Sequence, residues 1–497
     1  MLTPRERSLA LTFLTSPLLA CLLLCGIASA APSITLSKKS GPPTSKILVS
    51  GRGFEPNVGV DIFLDTKDKA LVVTNGKGEF HDAGIYAPRS ARPGEHWVTA
   101  LERNNGKGAQ EPFQVETDWT QGRADANLSG LNRFENVLSP KSVSQLQLAW
   151  TNATVGVIFS TPAIVKGVVY FGSQDGHLYA LKAITGEILW AFHDTNGSVW
   201  SSPAVANGVV YVGSYYGVRA LDALTGAQIW YYSTVWASVF SLNLLDGVLY
   251  FNSSDGVVHA VDANKGTLLW SYDIGPYDIG SPAVADGVVY SASGSLYALN
   301  ASTGTLLWSY PINNSGQAWS SPAVANGVVY VGSTDGTFYA LNASSGSLLW
   351  SYSTGGMIFA NPAVANGIVY VSSESGDLFG LDANTGSVLW KYSVGPLGSS
   401  SPAVANGIVY VGSPQYSVSA LNASTGTVLW QYATASVPSA PSVADGAVYV
   451  GDEYKLYAFD LAGGDRNAFS SSPRPKFGTL HPNLKLLPSE KRRHMSH

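Results

Sequence analysis

Among the residues able to do chemistry, Asp194, Asp273 and Asp278 stand in short segments that join one predicted strand run to the next, and His193 precedes the first of them. A carboxylate beside an imidazole is the beginning of a general acid–base pair or of a cation site. No second or third ligand follows at a fixed spacing, so the acids read as turn caps and His193 as a solvated side chain. Asp175, Asp255 and Asp335 look like a repeated acidic ring, but each stands before Gly, the pair that a tight hairpin selects for its own geometry. Lys391 is the one cation of the joining segments, and it lies on a strand. Both cysteines, Cys21 and Cys25, fall in the first thirty residues. A chain processed after Ala30 would have no disulfide, thiol nucleophile or thiolate metal site. No Ser/His/Asp order or Gly-rich phosphate loop stands out, and no catalytic residue and no metal ligand is assigned.

One pattern exceeds what a repeated scaffold needs. Three residues before each strand-opening Pro, or its equivalent, the chain carries Phe159, Trp200, Phe240, Ile279, Trp319, Phe359, Ser399 and Pro438. The first six are large and apolar. They either plug a narrow centre or form an apolar crescent that receives a peptide segment or a flat ligand.

The elements that place this crescent are repeats. The unit at 320–350, SSPAVANGVVYVGSTDGTFYALNASSGSLLW, recurs in near-copies, and a Trp closes each at Trp190, Trp230, Trp270, Trp308, Trp350, Trp390 and Trp430. A period near 40 residues means stacked units, each too small to bury its own apolar face. Within a unit, three tight turns built on Asn-Gly or Asp-Gly, Asp-Gly, and Ser-Gly or Thr-Gly separate four strands. The run VVYVGS is apolar on both faces and needs cover from both sides. Four-stranded blades packed around an axis supply it, so the fold expected is all-β, an eight-bladed β-propeller at 146–462. Units start at Ser160, Ser201, Ser241, Gly280, Ser320, Ala360, Ser400 and Ser439, and the last lacks a Trp strand. The run LQLAWTN, with Trp150, has the Trp and no unit before it. Pairing the two would close the ring and remove its edges.

The phrase ALKAITGEILW at 180–190 and its equivalents resemble the Trp-docking repeat of quinoprotein-type (PQQ-like) propellers, a family of enzymes and non-enzymatic scaffolds that includes the assembly factor BamB. The small Ala lies where blades touch, the Asp or Asn caps the turn, Gly takes the left-handed position, and the eight Trp from Trp150 to Trp430 dock blade on blade. For an enzyme of the family, the resemblance implies pyrroloquinoline quinone and Ca²⁺ in the funnel, an Asp base beside them, Arg or Lys for three carboxylates, and commonly a disulfide between adjacent cysteines. The joining segments carry no such cations and the processed chain no cysteine, so no cofactor is expected. The expectation is a non-catalytic binding or scaffold protein with a protein or cell-envelope partner, acting as a monomer. A PQQ-dependent dehydrogenase and a BamB-like outer-membrane assembly factor are the alternatives.

The flanks set the address. Arg5 and Arg7, the apolar run LALTFLTSPLLACLLLCGIASA and the small residues Ala28, Ser29 and Ala30 read as an export signal at 1–30. A lipid attachment at Cys21 and a retained anchor are the other readings, and only retention would hold the chain in a membrane. Localisation outside the cytoplasm, secreted or in the envelope, follows. Residues 32–117 alternate apolar segments with Gly/Pro/Asn turns, and SGRGFEP resembles bacterial immunoglobulin-like modules, so an Ig-like β-sandwich is expected there. Residues 118–145 have no period; Trp119, Leu131 and Phe134 are expected to clip this linker to the next domain. Residues 463–497, with Pro, Ser and a Lys-Arg-Arg run, read as a disordered basic tail. The net charge is −5 in all, yet −12 from residue 150 to 462, where six Lys/Arg face eighteen Asp/Glu. Such an array excludes nucleic acid as a natural partner.

Overall fold

The computed structural model describes residues 31–275, 280–312, 319–395, 400–461 and 474–480. The export segment, Asp278, Ile279, Ser399 and most of the tail lie outside them.

Each repeat turns back on itself where its dipeptides direct it. Asn207 and Gly208 have φ of 52° and 79°, the left-handed pair of a two-residue hairpin turn. The strands they join, Ala204–Ala206 and Val209–Ser214, pair with the third and fourth strands, Gly217–Asp222 and Gln228–Ser233, in one antiparallel sheet. Seven such sheets of four consecutive strands lie between residues 163 and 433 among the described residues, and an eighth joins the strands of 442–461 to that of 146–153. Their innermost strands neighbour one another in sequence order, and the last, Ser442–Ala444, neighbours the first, Ala163–Val165. The architecture is a closed β-propeller.

The last sheet contains both ends of the ring. Leu146–Ala153 lies antiparallel on Lys455–Leu461, from Leu146 opposite Leu461 to Ala153 opposite Lys455. The outer edge of the final blade is thus covered by a strand from the start of the domain.

Blades are locked by one recurring contact. Trp190 Nε1 donates to the Ala223 carbonyl of the next blade at 3.0 Å, and Trp350 Nε1 to that of Ala383 at 3.0 Å. Tyr170 and Tyr330 donate to the same two carbonyls at 3.2 Å. Trp430 closes the series on the Leu146 carbonyl at 3.0 Å, across the seam. From Trp150 to Trp390 the Gly of the next blade's last turn lies under the indole. A Cβ at Gly386, where φ is +72°, would stand 2.5 Å from the Trp350 ring.

The linker is more than a clip. Its backbone runs around one end of the central shaft and meets the innermost strand of every sheet. Trp119 and Ile164 exchange N–H and carbonyl, and the carbonyls of Thr120, Ala126, Asn127, Ser129 and Gly130 accept N–H groups from Val205, Val284, Val324, Val364 and Val404 at 2.7–2.9 Å. Gln121 Oε1 accepts from Leu244 N, and Asn132 Nδ2 donates to the Val443 carbonyl. Strand donors facing a shaft must be satisfied, and this aperiodic segment supplies the acceptors. Trp119 is fully buried and Leu131 packs on the core, whereas Phe134 is half-buried and lines a cleft.

Residues 33–115 fold as two sheets, of three and five strands, over one apolar core that includes Ile47, Val49, Ile62, Val98 and Phe113. The tail, expected to be disordered, departs from that expectation at 474–480. The four-residue helix Phe477–Leu480 lays Leu480 against Phe63 and Leu101, and Arg474 lies 5.0 Å over the Trp97 ring. Three apolar residues and a guanidinium–indole contact outweigh chain entropy locally.

Where the N-terminal module meets the propeller, acids gather. Burial raises the Asp118 carboxyl to about 8, and Asp445 and Glu116 push the same way against Lys166. Glu116 and Glu135 are also raised, first by burial. A carboxyl held protonated in the fold and ionised in the unfolded chain stabilises at low pH and loses that contribution as pH climbs through its folded value. Stability is therefore expected to decline from roughly pH 4 to pH 8. Asp118→Asn should flatten that decline in urea titrations at stepped pH; an unchanged slope would refute the assignment.

Candidate functional site

The mouth of the funnel, opposite the linker, is aromatic. Phe159 is 59% exposed and its ring centroid lies 6.2 Å from that of Trp200, which is in turn 5.6 Å from Phe240. Farther round the rim Trp319 and Phe359 pair at 5.4 Å; Ile279 lies outside the described residues. Each stands just before an innermost strand, so the repeat itself places them on one rim. The structure brings together three of the six predicted residues on one side and two on the other. Phe159 and Phe359 are exposed, and Trp200, Phe240 and Trp319 are half-buried.

Below the rim runs a polar belt, one residue before each strand-opening Pro. Thr161 N donates to Ser202 Oγ at 2.9 Å, Ser281 N to Ser321 Oγ at 2.8 Å, Ser321 N to Asn361 Oδ1 at 2.6 Å and Asn361 N to Ser401 Oγ at 2.9 Å. These bonds tie blade to blade and occupy the acceptors that face the shaft.

Below the belt lies a cation that the sequence reading missed. Arg123 stands on the linker between residues that bind the second and fourth sheets, yet its Nη2 reaches the Pro362 carbonyl of the sixth at 2.8 Å. The guanidinium therefore crosses the axis. It is 3% exposed; Nε and Nη1 have no hydrogen-bond partner among the described residues, and burial lowers its pKa to about 10 against the pull of Asp125. The expectation of a hub without positive charge is corrected here. An inspection confined to the segments between blades could not have found it.

The acids do not turn toward this centre. Asp194 accepts from Arg219 Nε at 2.8 Å and Nη2 at 2.7 Å. Burial pushes its carboxyl up, but Arg219, the Asn196 N–H and Ser214 overcome that and hold it below the usual range. An ion-paired carboxylate is a poor base, and His193 packs at a tilt against His177 instead, 4.8 Å between centroids. Asp273 caps Gly275 N at 2.9 Å. Asp175 and Asp335 accept from their own hairpins and from Tyr179 and Tyr339. Lys391 pairs with Asp377 at 3.1 Å.

One network has the composition of a hydrolase centre. Ser253 donates to Asp255 and contacts His259 Nε2 at 2.9 Å, while Tyr232 meets His259 Nδ1 at 3.2 Å. Its order is wrong, with the Ser between acid and imidazole, and Ser253 is fully buried. Burial first lowers the His259 pKa, to about 4, leaving a neutral core histidine stacked on Phe251. No group of three His, Cys, Asp or Glu able to hold a metal occurs among the described residues.

Two clefts are open. A small one of about 10 Å³, room for one water, lies between Trp200, Tyr215 and Phe240 at the rim. A larger one of about 350 Å³, lined by Arg89, Arg133, Phe134, Asn136, Asn366 and Asn406, separates the N-terminal module from the propeller. The amides of the second are spent on joining the two: Asn136 donates to the Ala91 carbonyl and Asn406 to that of Leu138, both at 2.7 Å.

A quinone with three carboxylates, bound beside Ca²⁺, would need several cations and a set of acid ligands at the axis. Among the described residues Arg123 alone is present there, sealed by the linker, and the nearby acids are committed, Asp125 to Ser129 and Arg133, Asp194 to Arg219 and Asp273 to its own turn. The described residues do not fit that group.

Comparison places this geometry among known propellers. The family profile described as outer membrane protein assembly factor BamB matches residues 143–248, 254–359 and 353–479. No curated protein matches the chain. BamB from Moraxella catarrhalis superposes with a TM-score of 0.56 at 17% identity over 63% of this chain and 99% of that one. Quinohemoprotein alcohol dehydrogenase from Comamonas testosteroni gives 0.61 at 16% over 72% and 82%, and a europium-containing methanol dehydrogenase 0.62 at 16% over 69% and 98%. At such identities the solved structures share the fold alone. The family profile spans most of the propeller and its Trp-docked repeats, and by that match the chain belongs to the BamB-like family of PQQ-type propeller repeat proteins.

Proposed function

We propose that this protein is a non-catalytic binding scaffold of the cell envelope, which captures its partner at the aromatic mouth of the propeller. The observation that carries the reading is the rim itself. Large rings stay partly exposed on a surface whose blade packing does not require them, and exposed aromatic clusters are where binding energy concentrates. The family match to an assembly factor and the committed state of Asp194 and Asp273, the rim acids among the described residues, support binding over turnover. Export by the N-terminal segment is part of the proposal. Among the described residues no helix is long and apolar enough to cross a membrane.

A quinone-dependent dehydrogenase is the second reading, favoured by one observation, the guanidinium of Arg123 on the axis. Near-ultraviolet absorbance of the purified protein with added quinone and Ca²⁺ tests it, and a saturable new band that Arg123→Met abolishes would establish it.

The rim is tested by Trp200→Ala with Trp319→Ala. Loss of two central aromatic anchors is expected to weaken capture of envelope components at least tenfold. The melting temperature should change little, because both rings are already half in solvent. A double variant that unfolds would instead make the rings a structural plug.

A further inference from the structure

On one blade the aromatic rim does not stop at the funnel. From Trp200 the ring contacts continue outward over the second sheet, to Tyr215 at 5.9 Å, from Tyr215 to Tyr216 at 6.1 Å, and from Tyr216 to Trp236 at 5.3 Å. With Phe159 and Phe240 this makes one unbroken aromatic track from the outer loop to the axis. Its outer end is highly exposed: Trp236 is 81% open to solvent.

The track is built at a cost that blade packing does not explain. The turn that holds Tyr215 and Tyr216 carries Gln174 and Asp175 in the first blade and Thr334 and Asp335 in the fifth, where the acid caps its own hairpin. The loop that presents Trp236 puts Val235 at φ 48° and Trp236 at φ 75°, left-handed backbone that a β-branched residue avoids. The matching loop after the fifth sheet places Gly355 in that region, at φ 80°. Strain of this kind persists where the surroundings impose it and collects at binding sites.

Those surroundings are present beneath. The Arg219 guanidinium, held by Asp194, lies 4.4 Å over the Tyr231 ring, and Tyr231 OH donates to the Tyr216 carbonyl at 2.7 Å. The buried ion pair thus acts as a base plate that fixes the Tyr-Tyr turn. It also cancels its own charge, so that the surface above consists of uncharged rings flanked by Ser198 and Ser238 of the rim cleft.

An uncharged row of rings excludes a polyanion, which needs cations, and a basic peptide, which needs free acids. Trp200 Nε1 is buried without a partner, so it is the ring and not the N–H donor that the cleft offers. A proline-rich peptide docks with its carbonyls on indole donors, which Trp200 does not offer, and would have only hydroxyls to meet them. The apolar C–H face of a β-linked sugar needs only a ring to lie on, while its hydroxyls stay in water or meet Ser and Tyr. Steps of 5.3–6.1 Å between successive rings are comparable with the length of one hexose unit.

We infer that the track from Trp236 to Trp200 binds an uncharged β-linked glycan, laid across the second blade with its end at the funnel mouth. The inference rests on the binding-scaffold reading and names the chemistry of its partner. Calorimetric titration of the full chain with cellohexaose and with chitohexaose should give saturable binding to one of them that added salt does not weaken. Trp236→Ala and Tyr215→Ala should each reduce that affinity at least tenfold with the melting temperature unchanged. Binding that survives both substitutions overturns the inference. So does a wild-type protein that ignores both sugars but takes a proline-rich peptide through Trp236, in which case the scaffold reading stands. Failure of sugars and peptide alike, with envelope capture still dependent on Trp200 and Trp319, removes the glycan and keeps the mouth; loss of that dependence as well removes both.

Discussion

A chain that starts at residue 154 is expected to aggregate, while one that starts at residue 117 unfolds in a single transition close to that of the longer protein. The two differ in the linker and in Leu146–Ala153. Without the latter, the strand Lys455–Leu461 becomes an open edge, with Tyr457 and Phe459 beside it and the Trp430 N–H deprived of its Leu146 acceptor. An unpaired apolar edge templates pairing between molecules. Each blade contributes through its neighbours, so an opened seam removes two interfaces at once. The loss should approach the whole stability of a domain, about 5–15 kcal/mol. A chain from residue 146 separates the two parts. It keeps the closing strand and lacks the linker, and should fold with a lowered melting temperature, because the inner-strand donors lose their acceptors. Equal melting of the chains from 117 and 154, followed by circular dichroism and light scattering, would show that closure carries no stability.

Trp350→Ala should be the most damaging single substitution in the repeat, costing about 3–5 kcal/mol in urea denaturation. The indole is 9% exposed, spans to the Ala383 carbonyl and packs at a tilt against Tyr330 and Phe338. Truncation leaves a void between two blades that cannot collapse, since Gly386 lacks a side chain to fill it. Leu349, one residue away and 50% exposed, provides the control. Leu349→Ala should stay within about 0.5 kcal/mol. Equal effects at the two positions would mean that the indole is ornament and the blade is held elsewhere.

The repeat explains why so much was readable. Its hairpin turns, buried second strands and docked indoles depend on residues within one unit or the next, and their spacing repeats along the sequence. The Trp150 strand was legible for the same reason, as a fragment of the pattern in the wrong place. The rim aromatics were placed because their offset from each strand-opening Pro is constant, although what the mouth receives cannot be read from periodicity.

Asp194 marks where that logic ends. Its spacing from His193 suggested an acid–base pair, but the geometry gives it to Arg219, a residue on the next blade whose sequence position carries no signal of it. Tyr215, Tyr216 and Trp236 interrupt the repeat, and an interruption says only that something differs. That their rings join into one track depended on how the second blade's loops fold over its Arg219–Asp194 pair. The helix Phe477–Leu480 lies in a segment whose composition suggested disorder, and it is ordered by contact with strands hundreds of residues earlier.

Sequence alone therefore determined the ring: periodic, nearest-neighbour interactions leave a periodic record, and closure follows from a missing strand at one end and a spare one at the other. Tertiary structure alone decided what fills the ring. Residues 117–132 have no period, and their partners lie in all eight sheets. Arg123 reaches the axis because a chain that must satisfy backbone donors around a shaft has to cross it, and nothing local to that arginine records the crossing.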